Sequence, residues 1–189
     1  VFSDLEFLRH SGLADALISR ADFPIFGICG GLQILGTSII DSFGVETGRP
    51  ATAAGLGLLP VQTRFSRNKI VRPVVRVHRP SGSGVQGYEI DLGRIYPDLN
   101  IARPLFDSED GIPEGCVSPD GRVWGTLTHG VFDSDKFRNV FLNRIRKYRG
   151  IPPRPPAAYD LESQIDRAAD LVESHLDVGT ILRTLKKCR

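Results

Sequence analysis

Methionine is absent from the 189 residues, tryptophan occurs once, and the three cysteines, Cys29, Cys116 and Cys188, share no short paired spacing. An odd cysteine count without such spacing argues against both a disulfide framework and a zinc site, and fits a reducing cytoplasm. No apolar stretch approaches the roughly 20 residues that span a bilayer. Val1 to Arg20 is charged and amphipathic, unlike a secretory signal, so no membrane partner is expected. Neither sign of charge dominates, with 24 Lys and Arg against 22 Asp and Glu. There is no basic stripe interleaved with aromatics, so nucleic acid is not an expected partner. Arg64, Arg67, Lys69, Arg72, Arg76 and Arg79 form the one basic cluster and read as a solvated edge hairpin, with an edge facing an anionic partner domain as the alternative. No internal repeat is present. A chain with no starting methionine is expected to be trimmed or partial.

What is present is an ordinary globular composition, 41% hydrophobic and 24% charged, enough for one domain or slightly more. Within it, Phe23-Pro24-Ile25-Phe26-Gly27-Ile28-Cys29-Gly30-Gly31-Leu32-Gln33-Ile34-Leu35-Gly36 places a cysteine where one apolar run ends and another begins. Phe23 to Ile28 is short and continuously apolar, as a buried parallel strand is, and Leu32, Ile34, Leu35, Ile39 and Ile40 follow at near-helical spacing. Cys29 is therefore expected at a sharp strand-to-helix turn. Unpaired amides at the helix start favour its thiolate, and Gly27, Gly30 and Gly31 permit a strained backbone and close approach of a carbonyl. Free cysteines are more often inert buried hydrophobes, but a packing cysteine has no need of three permissive neighbours.

A nucleophile needs a base, and four histidines are available. His10 and His175 fall in polar helical patterns, and His78 lies in the basic, proline-flanked Val77-His78-Arg79-Pro80 loop. Only His129, in Val123-Trp124-Gly125-Thr126-Leu127-Thr128-His129-Gly130, combines a strand end with a following glycine. An imidazole there can take the thiol proton and later hand it to a leaving amine, as acyl transfer through a thioester requires.

Elsewhere, Ser3 to Ser19 reads as one helix, Gly31 to Ser42 as the helix after the nucleophile, and Ala51 to Ile95 as strand-rich with a mobile Ser81-Gly82-Ser83-Gly84 loop. Pro119-Asp120-Gly121 predicts a hairpin whose second strand delivers His129. A helix is expected from Asp133 or Ser134 to about Arg149, where both Asp133 and Asp135 suit the positive end of the dipole. Pro152 to Pro156 reads as a stiff connector. Beyond it an amphipathic helix, with Ile165, Ala169, Leu171, Val172, Leu176 and Ile181, is expected to dock on the same domain, dividing the chain into residues 1–150 and 151–189.

The two motifs resemble the class I glutamine amidotransferase domain of the cobyric acid synthase type. The resemblance rests on Gly27 to Gly36 and on Gly125 to Asp133, and is narrowed by Gly55-Leu56-Gly57-Leu58-Leu59-Pro60-Val61 and Gly87-Tyr88-Glu89-Ile90-Asp91-Leu92-Gly93-Arg94. It implies an α/β fold, a flavodoxin-like sheet with flanking helices, lacking its first strands in this chain. It implies glutamine hydrolysis by Cys29 and His129, with ammonia passed to ATP-activated carboxylates of a corrin ring. The partners it implies are glutamine, an ATP-dependent synthetase domain and a corrinoid acceptor. ATP and magnesium belong to that synthetase domain, and no cofactor or metal is expected in this chain.

Among the residues the resemblance marks, the Gly30 amide is an oxyanion donor. Gln33, one helical turn after Cys29, would brace the turn or contact substrate. Tyr88 and Glu89 would contact the glutamine amino group or the synthetase, and Tyr88 alternatively reads as an interior ring. The family's usual glutamate two positions after the histidine is here Val131, which implies a Cys-His dyad, with Asp133 and Asp135 as minor candidates to orient the ring. Asp91 stands where the family carries histidine. The opening Val1-Phe2-Ser3-Asp4-Leu5-Glu6 resembles the residues just after the family's Pro-Gly-Ser-Lys turn, a second oxyanion donor. Two other readings share the cysteine turn: a cysteine hydrolase acting on another substrate, and a catalytically silent partner-binding module.

Overall fold

In the computed structural model, which describes residues 1–19 and 23–187, two groups of strands share a core with flanking helices. Arg20 and Cys188 lie outside the described residues. The first segment is two helices, α1 Phe2–His10 and α2 Leu13–Ser19, where one was expected. Gly12 separates them with φ 76°, a left-handed conformation that breaks helical order at little cost only for glycine. Leu5 of α1 is buried against Ile34, Ile39 and Phe65.

The apolar run becomes β1, Ile25–Ile28, and the nucleophile helix α3 is short, Gly30–Leu35. The expected helix through Ser42 does not form, because the residues after Gly36 turn extended and β2, Ser38–Asp41, is claimed by two neighbours. These are β3, Ala51–Ala54, antiparallel to it, and β4, Val61–His78, parallel to it. Cross-strand pairing of β-branched Ile39 and Ile40 overrides the helical periodicity that the apolar spacing suggested.

β4 runs antiparallel to β5, Ser83–Pro97, in a long ribbon interrupted between Phe65 and Ile70. The Ser81 to Gly84 loop expected to be mobile is a pinned turn. Gly82 N–H donates to the His78 carbonyl at 2.8 Å, His78 Nδ1 bonds the Ser81 hydroxyl at 2.7 Å, and Ser83 and Gly84 already belong to β5. β6, Phe106–Ser108, pairs with the far end of β4.

The predicted hairpin is present as β7, Cys116–Val117, and β8, Val123–Thr126. β8 also pairs parallel with β1, from Ile25 opposite Val123 to Ile28 opposite Thr126. A 3₁₀ turn at Val131–Asp133 leads to α4, Asp135–Tyr148. Phe137 of α4 is fully buried and packs with Phe26, Phe106 and Phe132. His78, expected in a basic, proline-flanked loop, is instead the last residue of β4 and 1% exposed, its ring among Phe106, Trp124 and Phe137.

The chain divides into a unit Val1–Pro156 and a unit Ala157–Arg189. The proline segment therefore falls in the first unit, where Asn143 clasps the Arg154 backbone through both its amide nitrogen and its oxygen, each at 2.9 Å. The second unit holds two helices where one was expected, α5 Leu161–His175 and α6 Val178–Lys187. Asp160 caps the first, and Asp177 accepts from Thr180 N–H in the first turn of the second. No helix among the described residues is long and apolar enough to cross a membrane.

Candidate active site

Parallel pairing of β1 with β8 brings the two chemical motifs to one edge. Cys29 immediately follows β1 and His129 follows β8 by three residues, so both lie at the carboxyl ends of adjacent parallel strands. That edge is where open α/β sheets place their ligands. The Cys29 N–H donates to the Thr126 carbonyl at 2.8 Å, which ties the nucleophile turn to the histidine strand.

Cys29 has φ 51° and ψ −112° and is the one non-glycine residue with positive φ among the described residues. Such a conformation costs about 1–3 kcal/mol and persists only where the surroundings enforce it. Gly27 is part of that enforcement: a Cβ there would stand 2.6 Å from the Gly31 carbonyl carbon and 2.7 Å from the Leu32 nitrogen, so only glycine lets α3 fold back over β1. Beside Gly31 there is open space on the side a Cβ would occupy.

The thiol was expected to ionise easily at the helix start. Burial pushes it above its ordinary value, the Asp91 carboxylate adds to this, and the hydrogen bond from Gly30 N–H opposes both without overcoming them. The six-residue α3 contributes few aligned peptides, whereas desolvation of a thiolate is large. The Sγ atom points to the Ile90 carbonyl, 3.9 Å away.

His129 is held by an antiparallel bridge to Tyr88, with His129 N–H to the Tyr88 carbonyl at 2.8 Å and the reverse bond at 3.2 Å. The two rings stack at 5.0 Å with 8° between planes. The Nε2 atom is buried without a hydrogen-bond partner. A buried polar atom left unpaired is costly. Tyr88 is therefore not an interior ring: it is 47% exposed and forms one wall beside the imidazole. β5 thus touches both motifs, Tyr88 at His129 and Ile90 at Cys29.

Gln33 is buried and donates to Asp91 Oδ1 at 3.0 Å, so it braces the nucleophile helix against β5. Burial holds the Asp91 carboxyl above the usual range, and its Oδ2 has no partner. Glu89, expected to contact the glutamine amino group or the synthetase, has its carboxylate held by two arginines. It alternates with Tyr88 along the strand, is buried, and is gripped by Arg72 Nε at 2.8 Å and by the Arg76 guanidinium. Arg76, read from sequence as part of a solvated hairpin, is thereby an interior residue. Asp135 pairs with Arg138, Val131 is buried, and no carboxylate bonds His129 Nε2.

Two contributors escaped the sequence reading. The Ile90 carbonyl is backbone and leaves no residue signature. Glu114 is half-buried, a charge between Pro113 and Gly115 that could have been flagged for its uncharged sequence neighbours. Among the described residues no group of three or more His, Cys, Asp or Glu is placed to hold a metal ion.

A strained cysteine and an unpartnered imidazole at the carboxyl ends of the parallel pair β1 and β8 fit an α/β domain of the class I amidotransferase type. A solved glutamine amidotransferase shares the fold, with TM-score 0.54 and 15% identity over 78% of this chain and 73% of that one. The model of the CobB/CobQ-like glutamine amidotransferase domain matches residues 1–137, and the chain belongs to that family. Similar curated proteins include the cobyric acid synthases of Cereibacter sphaeroides, 43% identical over 95% of this chain, and Bradyrhizobium diazoefficiens, 42% over 95%. The adenosylcobalamin biosynthesis bifunctional protein CobDQ of Leptospira interrogans is 36% identical over 98%. The chain spans 36% of each of those two synthases and 22% of the bifunctional protein.

Proposed function

We propose that this domain is a glutaminase, on the strength of the strained Cys29 and the buried, unpartnered His129 Nε2 brought together by β1 and β8. Cys29 Sγ attacks the side-chain amide carbon of glutamine while His129 Nε2 takes the thiol proton. The developing oxyanion is met by Gly30 N–H, an interaction worth about 10²- to 10³-fold in rate where it is one of the donors. His129 returns its proton to the departing ammonia, leaving a thioester on Cys29. Water, deprotonated by His129, then attacks the thioester; glutamate leaves and the thiol is restored. A Cys-His dyad suffices, with the ring oriented by the Tyr88 backbone and ring in place of a carboxylate.

The ammonia would be passed to a synthetase part that uses ATP and magnesium to activate carboxylates of the corrin ring, converting adenosylcobyrinic acid a,c-diamide to adenosylcobyric acid. This assignment is supported by the similar cobyric acid synthases, and this domain itself needs no cofactor for the hydrolytic half. A reducing cytoplasm would keep Cys29 competent.

The test is glutamate release from glutamine by the wild-type chain, Cys29→Ser and His129→Ala, beside labelling by a glutamine-like diazo-ketone. Turnover lost in both variants, and labelling at Cys29 that His129→Ala slows, are the expected results. Hydrolysis of another substrate that still needs Cys29 would turn the reading toward a different cysteine hydrolase. Partner binding that survives Cys29→Ala without any turnover, in a chain extended upstream as well, would make it a silent module.

A further inference from the structure

The backbone of Glu114 is fixed before its side chain is considered. Glu114 N–H donates to the Phe106 carbonyl at 3.0 Å, and its carbonyl accepts from Phe106 N–H at 2.9 Å and Leu105 N–H at 3.1 Å. From that anchor the side chain reaches the end of β8. Oε2 accepts the Thr126 hydroxyl at 2.6 Å and the Thr128 hydroxyl at 3.3 Å, and Oε1 accepts Leu127 N–H at 2.7 Å. Thr126 Oγ1 accepts in turn from Thr128 N–H at 3.0 Å.

Three consecutive residues are thus tied to one carboxylate, and they are the three that join the halves of the site. The Thr126 carbonyl receives Cys29 N–H, and Thr128 is covalently followed by His129, whose ring lacks a carboxylate of its own. Withdrawing a carboxylate from water even in part is costly, and this half-buried one directs both oxygens at the end of β8. Donors directed at both oxygens match the ionised form, although burial raises the Glu114 carboxyl above its usual range.

We infer that Glu114 is a positioning residue, which sets the placement of His129 relative to Cys29 by clamping Thr126, Leu127 and Thr128. The inference rests on the glutaminase reading for its kinetic consequence and on the hydrogen bonds alone for its structural one. It supplies through the backbone the ordering that the glutamate expected at the Val131 position would give through the ring.

Glu114→Gln keeps the shape and volume but cannot accept on both ends, so it loosens the clamp with the least disturbance of the fold. Thr128→Val removes one donor and leaves the carboxylate intact. In the 189-residue chain, with unfolding midpoints checked, kcat for glutamate release should fall by about 10²-fold in Glu114→Gln, and less in Thr128→Val, with KM unchanged. Labelling of Cys29 by the diazo-ketone should slow in step with kcat, while alkylation by iodoacetamide, which needs no imidazole placement, should not. Wild-type kcat in a folded Glu114→Gln variant, or equal loss with both reagents, would overturn the inference. Should neither the wild-type chain nor one extended upstream release glutamate or be labelled, the glutaminase reading fails, and the ring NMR signals of His129 still decide this one. They should broaden or double in Glu114→Gln while those of His78 stay sharp; a His129 spectrum identical to wild type would refute the clamp.

Discussion

His78 and His129 are both held with a buried Nε2 that finds no hydrogen-bond partner, yet they belong to regions built for different ends. His78 lies in the aromatic core, boxed by Phe106, Trp124 and Phe137, with Nδ1 on Ser81. Burial, reinforced by Arg144 stacked over Trp124, pushes its pKa down to about 4. His129 is only half-buried, lies against an exposed tyrosine, and shares its edge with a strained cysteine. An orphaned imidazole nitrogen alone therefore does not identify a catalyst. What sets His129 apart is that the residue is half-exposed and that Cys29 follows the strand paired parallel with its own.

The sharpest way to break this contrast is to remove each ring in turn. His129→Ala should lower glutamate release by about 10²- to 10⁴-fold, the contribution of a positioned acid and base. His78→Phe replaces one aromatic ring by another among rings and should leave kcat within a few-fold of wild type. Comparable losses from the two would mean that the aromatic core, and not the catalytic edge, sets the rate.

A second measurement separates the two regions by stability. The His78 imidazole ionises near 6.5 in the unfolded chain and at about 4 when folded, so the unfolded state binds the proton first as pH falls. Stability is full above the unfolded value and is lost between about 6.5 and 4, a difference of about 3 kcal/mol at saturation. Urea midpoints of wild type and His78→Phe between pH 7 and 4 should diverge by up to that amount. Parallel curves would show that the core admits water to His78.

How much of this contrast could be read in the sequence differs between the regions for a physical reason. The places of Cys29 at a strand-to-helix turn and of His129 just beyond a strand were legible because such positions carry local signatures, glycine spacing and apolar runs, that survive without knowledge of contacts. The interior position of His78 was not, since its flanking Arg79 and Pro80 describe the turn and not the face to which the strand directs the ring. Arg76 and Glu89 misled in the same way. Arg76 was read as solvated and Glu89 as a contact for substrate or synthetase, and only the antiparallel pairing of β4 with β5 reveals that they neutralise one another inside. β2 was missed because Ile39 and Ile40 suit a helix and a strand alike, and pairing with β3 and β4 decided between them.

The smallest expected effect concerns the thiol itself. Cys29 is raised chiefly by burial and secondly by Asp91, whose carboxylate is fixed one hydrogen bond away from α3 through Gln33. Asp91→Asn preserves an acceptor for Gln33 while removing the like charge that opposes the thiolate. Iodoacetamide alkylation of Cys29 should then begin at lower pH than in wild type, yet still above an ordinary thiol because the burial contribution remains. An unchanged profile would assign the whole shift to burial. A profile moved upward would mean that Asp91 is protonated and supplies a hydrogen bond to the site, in which case the residue standing where the family carries histidine has taken over a donor's role.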